Sequence, residues 1–213
     1  MSAQQPLSTT LHTWNQLAQL YAESFMELDS YQHTYAWLVE ALGPEPMDVL
    51  DVGCGPGILA HYFQQHAPQW RLLGIDGAPQ MIAEARVRFP LCQWRVLQAH
   101  QLDALKIPFS LITVGFCIPY MSPDELAVFW PKAYQALLPE GYLYVSFVVG
   151  HADQSGWIAG AYGRMYFHYH SEAWMLQQAR QVGLRWVQSW DVPYSRNRPQ
   201  PEIHRVWVLQ KKA

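Results

Sequence analysis

Hydrophobic residues recur at three- and four-residue steps through the first fifth of the chain, which predicts two amphipathic helices between residues 11 and 42. The prolines and glycine of residues 43–46 end the second helix, because proline cannot continue a helix. Beyond this point, short apolar runs of strand length alternate with helical segments. The predicted strands span residues 47–52, 70–75, 94–97, 111–115, 142–149, 184–190 and 203–209, and the predicted helices residues 56–66, 79–88, 122 onward and 171–182.

Strands that alternate with helices indicate a parallel sheet with helices on both faces. Only a proline-rich loop separates the last two strands, so one of them is predicted to be antiparallel. The expected fold class is α/β: a doubly wound, Rossmann-like sheet of seven mostly parallel strands, with the last strand antiparallel. Since no repeat or linker interrupts the pattern, residues 1–213 are expected to form a single domain, with an N-terminal helical segment at 1–45 and an inserted lid at 150–170.

Composition narrows the class of protein. Half of the residues are hydrophobic and 15% are charged, which is typical of a folded globular chain. The net charge is −3 and no run of basic residues occurs before Lys211, so the sequence gives no indication of a basic surface that would bind nucleic acid. No apolar stretch has membrane-spanning length, and the polar N-terminus does not resemble a signal peptide. The three cysteines lack metal-type spacing, which favours a cytoplasmic location. Ten Trp and twelve Tyr residues fit either an aromatic-lined cavity or a bulky core.

The first candidate for chemistry is a glycine-rich turn in residues 49–57, VLDVGCGPG. It follows the first predicted strand, and in doubly wound sheets ligands bind at this edge. Glycines there let the backbone approach a ligand closely and adopt conformations closed to other residues. Asp76 ends the second strand 23 positions after Gly53, where a carboxylate accepts hydrogen bonds from both hydroxyls of a ribose. These features suit any adenosine cofactor.

Two details discriminate between adenosine cofactors. The third glycine of a dinucleotide fingerprint would fall at Ile58 rather than Gly57, and Pro56 removes an N–H donor that a diphosphate would use. Asp51 lies inside the strand end, where a buried carboxylate needs a cationic partner. The amino group of S-adenosylmethionine supplies such a partner, whereas NAD does not. The alternative is that Asp51 only accepts hydrogen bonds from loop amides.

Residues 49–57 and 74–82 (GIDGAPQMI) resemble the first two motifs of the class I S-adenosylmethionine-dependent methyltransferases. The likeness continues through residues 109–112, 137–143 and the closing strand pair. Three further blocks resemble a bacterial subgroup of small members of this family: residues 21–26, 115–120 and 164–171. The resemblance implies the doubly wound fold, methyl transfer from S-adenosylmethionine, and S-adenosylhomocysteine as the product.

The resemblance also implies a cofactor site, carried over position by position. Its residues are Tyr21, Asp51, Gly53, Cys54, Gly55, Asp76, Gly77, Met81, Gln98, Ala99, Phe116 and Cys117. In this assignment the glycines of the turn lie against the methionine part of the cofactor, and Asp51 lies near its amino group. Asp76 holds the ribose and Met81 packs on the adenine. Phe116 and Cys117 border the sulfonium.

The chain departs from the family pattern at two positions. Gln98 replaces an Asp that often contacts the adenine amine, although an amide oxygen still accepts from that group, and Ser110 replaces an Asp near the start of strand four. After strand four, many methyltransferases of adenine or glutamine amides carry Asp, Asn or Ser followed by Pro-Pro-aromatic. Residues 117–120 (CIPY) lack that acceptor, which disfavours this substrate class. Tyr120 is assigned to the acceptor pocket, although simple packing explains it equally well.

The predicted lid, residues 150–170, combines four glycines with five aromatic residues and is too long for a tight connection. Tyr162 and Tyr166 are assigned to the acceptor pocket. His168 and His170 are the candidates for catalysis, because imidazoles titrate near neutrality, although a base is needed only where the acceptor must lose a proton. Structural histidines and aromatic packing are the alternatives. A two-histidine metal site would lack a third ligand, so no metal is predicted.

Tyr21, Phe25 and Tyr31 on the N-terminal helices fit two interpretations, a cover over the cofactor or a core against the sheet, and the two are compatible. The first hypothesis is a methyltransferase whose partner is a small-molecule acceptor, with neither nucleic acid nor a membrane as partner. Monomer and homodimer stay equally open. The alternatives are a catalytically silent S-adenosylmethionine-binding module with a regulatory or scaffolding role, and a nicotinamide oxidoreductase.

Overall fold

The computed structural model describes residues 4–25, 29–160, 162–194 and 202–212. The helices are α1 (Gln4–Phe25), α2 (Asp29–Leu42), α3 (Ile58–His66), α4 (Pro79–Arg88), α5 (Pro123–Ala136) and α6 (Glu172–Gln181). The strands are β1 (Asp48–Val52), β2 (Arg71–Asp76), β3 (Gln93–Val96), β4 (Phe109–Val114), β5 (Leu137–Val148), β6 (Gly156–Gly160), β7 (Gly163–Phe167), β8 (Leu184–Tyr194) and β9 (Glu202–Lys211). No helix among the described residues is both long and apolar enough to cross a membrane.

Seven of the strands form one sheet in the order β3-β2-β1-β4-β5-β9-β8. Strands β1 to β5 run parallel, and β9 lies antiparallel between β5 and β8. The predicted fold class is therefore confirmed, including the antiparallel last strand. The strand order reverses between β1 and β4, and ligands of doubly wound sheets bind at the carboxyl edge of such a reversal.

Both faces of the sheet are covered, as the alternation of strands and helices predicts. Successive residues of β1 point to opposite faces, so Leu50 joins one core together with residues of α5 and α6, whereas Val49 joins the other with residues of α2 and α3. Tyr31, Tyr35 and Leu38 on α2 are almost completely buried in the second core. The aromatic stripe of α2 is therefore core rather than cover.

The predicted start of α5 is formed by reciprocal hydrogen bonds. The Ser122 hydroxyl accepts from the backbone N–H of Glu125 at 3.2 Å, and the Glu125 carboxylate accepts from the backbone N–H of Ser122 at 2.8 Å. This arrangement satisfies two backbone donors that the first turn of a helix leaves without partners. It also fixes the Glu125 carboxylate at the end of the helix nearest the carboxyl edge of the sheet.

The structure differs from the sequence-based elements at β5 and in residues 150–170. Strand β5 begins at Leu137, opposite Phe109, and an irregularity in register precedes the pairing of Leu111 with Tyr142. Residues 150–170 contain a two-stranded antiparallel hairpin of β6 and β7, which the glycines at both its ends conceal in the sequence. The Met26 of the N-terminal block and the loop at 195–201 lie outside the described residues, as does the side chain of Phe25.

Candidate functional site

The glycine-rich turn connects β1 to α3 through three residues in the left-handed conformation. Gly53, Gly55 and Gly57 have φ angles of 67°, 53° and 96°, which favour glycine. The backbone N–H of Gly53 donates to the carbonyl oxygen of Ile75 on β2 at 2.8 Å. A Cβ atom on Gly53 would lie 2.6 Å from both Cβ and Sγ of Cys117, which follows β4. Backbone conformation and close packing therefore both require glycine at position 53.

Asp76, at the end of β2, organises this turn. One of its carboxylate oxygens accepts from the backbone N–H of Gly55 at 3.0 Å, and the other accepts from the backbone N–H of Ala78 at 2.8 Å. Burial raises the pKa of Asp76 despite these two hydrogen bonds. Each carboxylate oxygen has a second lone pair, so the group can still accept from a ligand.

Asp51, at the end of β1, is completely buried. Its Oδ1 accepts from the hydroxyl of Thr113 at 2.8 Å, whereas its Oδ2 has no hydrogen-bond partner among the described residues. Burial raises the pKa of Asp51 to about 7. The alternative interpretation, in which Asp51 accepts hydrogen bonds from loop amides, does not hold in the structure. The loop amides of Gly55 and Ala78 donate to Asp76 instead. A buried carboxylate with one unpartnered oxygen calls for a cationic ligand.

A cavity opens where the turn meets α1, α4 and the end of β4, and we refer to it as the inner cavity. It is lined by Leu7, Thr10, Leu11, Trp14, Tyr21, Gly53, Cys54, Gly55, Ile58, Leu59, Asp76, Gly77, Met81, Leu97, Gln98, Ala99, His100, Gly115, Phe116, Cys117, Tyr120, Met121 and Glu125. All residues assigned to the cofactor from the sequence line it except Asp51. The lining residues that sequence reasoning missed come from several elements, and four of them, Leu7, Thr10, Leu11 and Trp14, lie on α1, which the sequence linked to the cofactor only through Tyr21.

The charged side chains that line the inner cavity are acidic. Asp76 and Glu125 line it, and within the described part of the chain no lysine or arginine does. Burial first, and then the charges of Asp76 and Asp51, raise the pKa of the thiols of Cys54 and Cys117, so both carboxylates act on this part of the wall. The cavity therefore favours a ligand with positive charge and disfavours a diphosphate.

Phe116 borders the cavity in a conformation that is unusual for a bulky residue. Its φ angle is 60°, and its backbone N–H donates to the hydroxyl of Ser146 at 2.9 Å. Its ring meets that of Tyr31 edge to face, with ring centres 4.5 Å apart. The buried α2 core thus supports one wall of the inner cavity.

A second cavity of about 340 Å³, which we call the outer cavity, adjoins the first. It is lined by Pro6, Leu7, Thr10, Tyr120, Ser122, Glu125, Trp157, Arg164, Tyr166 and His168. Four of these residues, Leu7, Thr10, Tyr120 and Glu125, line both cavities. Its volume lies in the range of small-molecule sites. The two cavities therefore form adjacent compartments that meet at Tyr120.

Tyr120 lines both cavities and also packs tightly. Its ring meets Trp14 edge to face at 5.2 Å between ring centres and Phe167 at 5.8 Å. Burial raises the pKa of Tyr120, so the phenol stays protonated at neutral pH. The Tyr120 side chain thus lines a cavity and packs against its neighbours at the same time. Tyr166 lines the outer cavity, whereas Tyr162 lies exposed near the hairpin turn and lines neither cavity.

The two histidines of residues 150–170 have different surroundings. His168 lines the outer cavity, its backbone N–H donates to the carbonyl oxygen of Pro119 at 2.7 Å, and burial lowers the pKa of its ring. His170 lines neither cavity. Its Nε2 lies 3.1 Å from the carbonyl oxygen of Met121, its ring stacks on Trp174, and burial followed by the charge of His168 lowers its pKa to about 4. Among the described residues, no group of three His, Cys, Asp or Glu side chains could hold a metal ion.

Comparison with known proteins finds a family match for part of the chain and solved structures with the same fold. Residues 49–141 match a family described as a methyltransferase domain. A 1,6-didemethyltoxoflavin-N1-methyltransferase from Burkholderia thailandensis, solved with 1,6-didemethyltoxoflavin and S-adenosylhomocysteine, superposes over 100% of this chain and 92% of its own, with a TM-score of 0.76 at 19% identity. Part of this chain, residues 49–141, thus matches a methyltransferase domain, and the chain shares its fold with this solved methyltransferase.

Among particular proteins, the chain is similar to trans-aconitate 2-methyltransferases of Escherichia coli. That of strain K12 / DH10B is 35% identical over 111 residues, which are 50% of this chain and 43% of the relative. The chain thus matches less than half the length of these curated relatives. A magnesium protoporphyrin IX methyltransferase from Synechocystis, solved with S-adenosylmethionine, covers 100% of both chains with a TM-score of 0.73 at 14% identity, a likeness of fold.

Proposed function

We propose that the chain is a methyltransferase that binds S-adenosylmethionine in the inner cavity and a small-molecule acceptor in the outer cavity. The observation that carries the proposal is the charge of the inner site. Asp51 has an unpartnered, buried carboxylate oxygen, Asp76 and Glu125 line the cavity, and no lysine or arginine among the described residues does. S-adenosylmethionine is positively charged at its sulfonium and amino groups, whereas the diphosphate of NAD is negatively charged. The same charge pattern argues against a nicotinamide oxidoreductase.

The residues that line the inner cavity, together with Asp51 beside it, fit the parts of this cofactor. Asp51 would accept from the amino group, and Asp76 would accept from the ribose hydroxyls with the lone pairs that Gly55 and Ala78 leave free. The apolar Met81 side chain would pack on the adenine. The bound cofactor supplies an electrophilic methyl group. The remaining assigned residues, Tyr21, Gly53, Cys54, Gly77, Gln98, Ala99, Phe116 and Cys117, would form the walls around it.

The outer cavity would hold the acceptor against the inner one. Methyl transfer is an in-line displacement, so the main task of the chain is to align the acceptor and exclude water. Tyr120 and Tyr166 would form walls of the acceptor pocket. His168 is the candidate base, because its ring lines the cavity and its lowered pKa keeps it neutral and able to take a proton. His170 and Tyr162 line neither cavity, so we assign them no role in catalysis or acceptor binding.

Similar proteins support a small-molecule acceptor, and the chain's cysteines support the predicted location. The Burkholderia thailandensis enzyme was solved with S-adenosylhomocysteine, and the Escherichia coli relatives are named for a small acceptor, trans-aconitate. We propose the same kind of partner, a small molecule, for this chain. Cys54, Cys92 and Cys117 are free thiols, which supports the cytoplasmic location predicted from the sequence.

The test of the proposed function is the formation of S-adenosylhomocysteine from S-adenosylmethionine in the presence of a panel of small acceptors. The panel contains carboxylates, phenols, amines and thiols, each assayed with and without protein. Acceptor-dependent product supports the proposal. A protein that binds S-adenosylhomocysteine but turns over no acceptor would instead be the silent module.

Replacement of His168 by alanine is expected to lower turnover of the acceptor found in this panel by about a hundredfold, the lower end of what a general base contributes. Affinity for S-adenosylhomocysteine should stay unchanged, because His168 does not line the inner cavity. His66→Ala, an exposed position on α3, is the matched control. Wild-type turnover in His168→Ala would remove this histidine from the mechanism and leave methyl transfer by alignment alone.

Replacement of Asp76 by alanine is expected to weaken S-adenosylhomocysteine binding by about a hundredfold through loss of the ribose contact. The sequence alone predicts a far smaller effect on thermal stability. The structure predicts a measurable one, about 1–3 kcal/mol, because the backbone N–H groups of Gly55 and Ala78 lose their acceptor. Calorimetry and denaturant unfolding measure the two effects. Unchanged affinity would argue against the ribose role.

A further inference from the structure

The hairpin of β6 and β7 presents one face to the outer cavity. Trp157 pairs with Tyr166, and Ala159 pairs with Arg164, so these four side chains share a face. Along β7, Arg164 and Tyr166 alternate with residues of the other face, and all the cavity-lining residues of the hairpin belong to this face. Strand periodicity therefore aims the Arg164 side chain along the outer cavity.

Hydrogen bonds to α1 hold this strand in place. The hydroxyl of Thr13 donates to the carbonyl oxygen of Arg164 at 2.8 Å, and the backbone N–H of Tyr166 donates to the hydroxyl of Thr10 at 3.0 Å. A Cβ atom on Gly163 would lie 2.7 Å from the hydroxyl oxygen of Thr13, so the close approach depends on glycine. The backbone that carries Arg164 is thus anchored on both sides.

Two charged side chains line the outer cavity, the exposed Arg164 and the half-buried Glu125, and they differ in how they are compensated. The Glu125 carboxylate accepts from the backbone N–H of Ser122 at the start of α5, where the helix dipole favours a negative charge. The Arg164 guanidinium lies 4.2 Å from the ring centre of Trp157 and makes no ion pair with any described residue. A guanidinium over an aromatic ring keeps its edge N–H donors free. The uncompensated charge of the cavity is therefore positive.

We propose that the acceptor carries a carboxylate that Arg164 binds, at the end of the molecule away from the atom that is methylated. This rests on the proposed function and adds the substrate class to it. Arg164 lines only the outer cavity, whereas Tyr120 and Glu125 line both. The methyl group is delivered where the cavities meet, so the carboxylate at Arg164 serves recognition. Arginine binds carboxylates through two parallel N–H donors, and Tyr166 and Trp157 supply ring surfaces beside it.

The test uses three para-substituted phenols of different charge: 4-hydroxybenzoate, its neutral isostere 4-hydroxybenzamide, and the cation tyramine. Each is titrated by calorimetry into the full chain saturated with S-adenosylhomocysteine. We expect 4-hydroxybenzoate to bind at least about tenfold more tightly than the neutral amide, as a charged pair of hydrogen bonds provides. Arg164→Gln should remove that preference, and Arg164→Lys should retain part of it. Arg95→Gln, an exposed arginine on β3, is the matched control and should behave as wild type.

Two sets of outcomes separate this inference from the proposed function. Failure of S-adenosylhomocysteine itself to bind would contradict the proposed function. Tight S-adenosylhomocysteine binding without a preference for the carboxylate, including no binding of any probe at millimolar concentration, would overturn the inference alone. Tightest binding of tyramine would also overturn it and would assign recognition to Glu125.

Discussion

Replacement of Asp51 by asparagine is expected to weaken the binding of S-adenosylhomocysteine more than about a hundredfold. Breaking a buried charge pair by removing one partner costs about 3–5 kcal/mol, and each 1.4 kcal/mol is a factor of ten. Asparagine keeps the size of the side chain and can still accept from the Thr113 hydroxyl, so the fold is retained. Calorimetric titration at neutral pH measures the loss.

Asp48→Asn is the matched control for this variant. It makes the same substitution on the same strand, but Asp48 is partly exposed and pairs with Arg71 at 2.8 Å. Its affinity for S-adenosylhomocysteine should equal that of the wild type. Equal affinity of Asp51→Asn and Asp48→Asn would show that the buried carboxylate does not hold the cofactor.

The same carboxylate predicts a pH dependence of binding. The pKa of Asp51 is raised to about 7 in the free protein by burial, and pairing with an ammonium group favours the ionised form. Below this pKa the carboxyl group must lose a proton to pair, so affinity should fall by up to about tenfold per pH unit as the pH drops. Calorimetry across neutral pH should show this fall in the wild type. The Asp51→Asn variant should not show the part of this fall that comes from protonation of Asp51.

Replacement of Gly53 by alanine is expected to lower the free energy of unfolding by about 3 kcal/mol. The left-handed conformation at φ 67° costs about 1–2 kcal/mol for a residue with a Cβ atom, and overpacking adds about 1–3 kcal/mol. The added atom would lie 2.6 Å from Cys117, whose Cβ cannot move without its backbone. Denaturant unfolding measures the effect.

Gly55→Ala is the matched comparison, with φ 53° and no atom within 4 Å of the added Cβ. It should cost only about 1–2 kcal/mol of stability, from backbone strain alone. Because Gly55 lines the inner cavity, its added methyl group should weaken S-adenosylhomocysteine binding instead. Equal stability of the two variants would refute the packing of Cys117 against Gly53.

The sheet could be predicted from the sequence because its strands are short apolar runs separated by helices with clear caps. The capping residues Ser122 and Ser171 begin α5 and α6 where the sequence indicates. The start of β5 could not be predicted, because Pro139 and Gly141 read as turn residues although Leu137 pairs with Phe109. The β6–β7 hairpin was hidden in the same way by its terminal glycines.

The cavity-lining residues near the glycine-rich turn could be predicted because they follow one another closely along two adjacent strands. The contacts between α1 and the β6–β7 hairpin could not be predicted, since they join distant parts of the chain. Thr10 and Tyr166 are joined by a hydrogen bond although they lie 156 residues apart. His168 and His170 are equivalent in the sequence, and only the contact of His170 with Met121 separates a cavity residue from a packed one.

The most direct test of the central claim is calorimetric titration of the full chain with S-adenosylhomocysteine, with NAD as the control. The unpartnered oxygen of Asp51, which can accept from the amino group of S-adenosylhomocysteine, predicts binding of that compound at micromolar concentration or tighter, whereas the acidic lining of the inner cavity predicts no binding of NAD. Absence of S-adenosylhomocysteine binding, or equal binding of NAD, would contradict the assignment of the inner cavity to this cofactor.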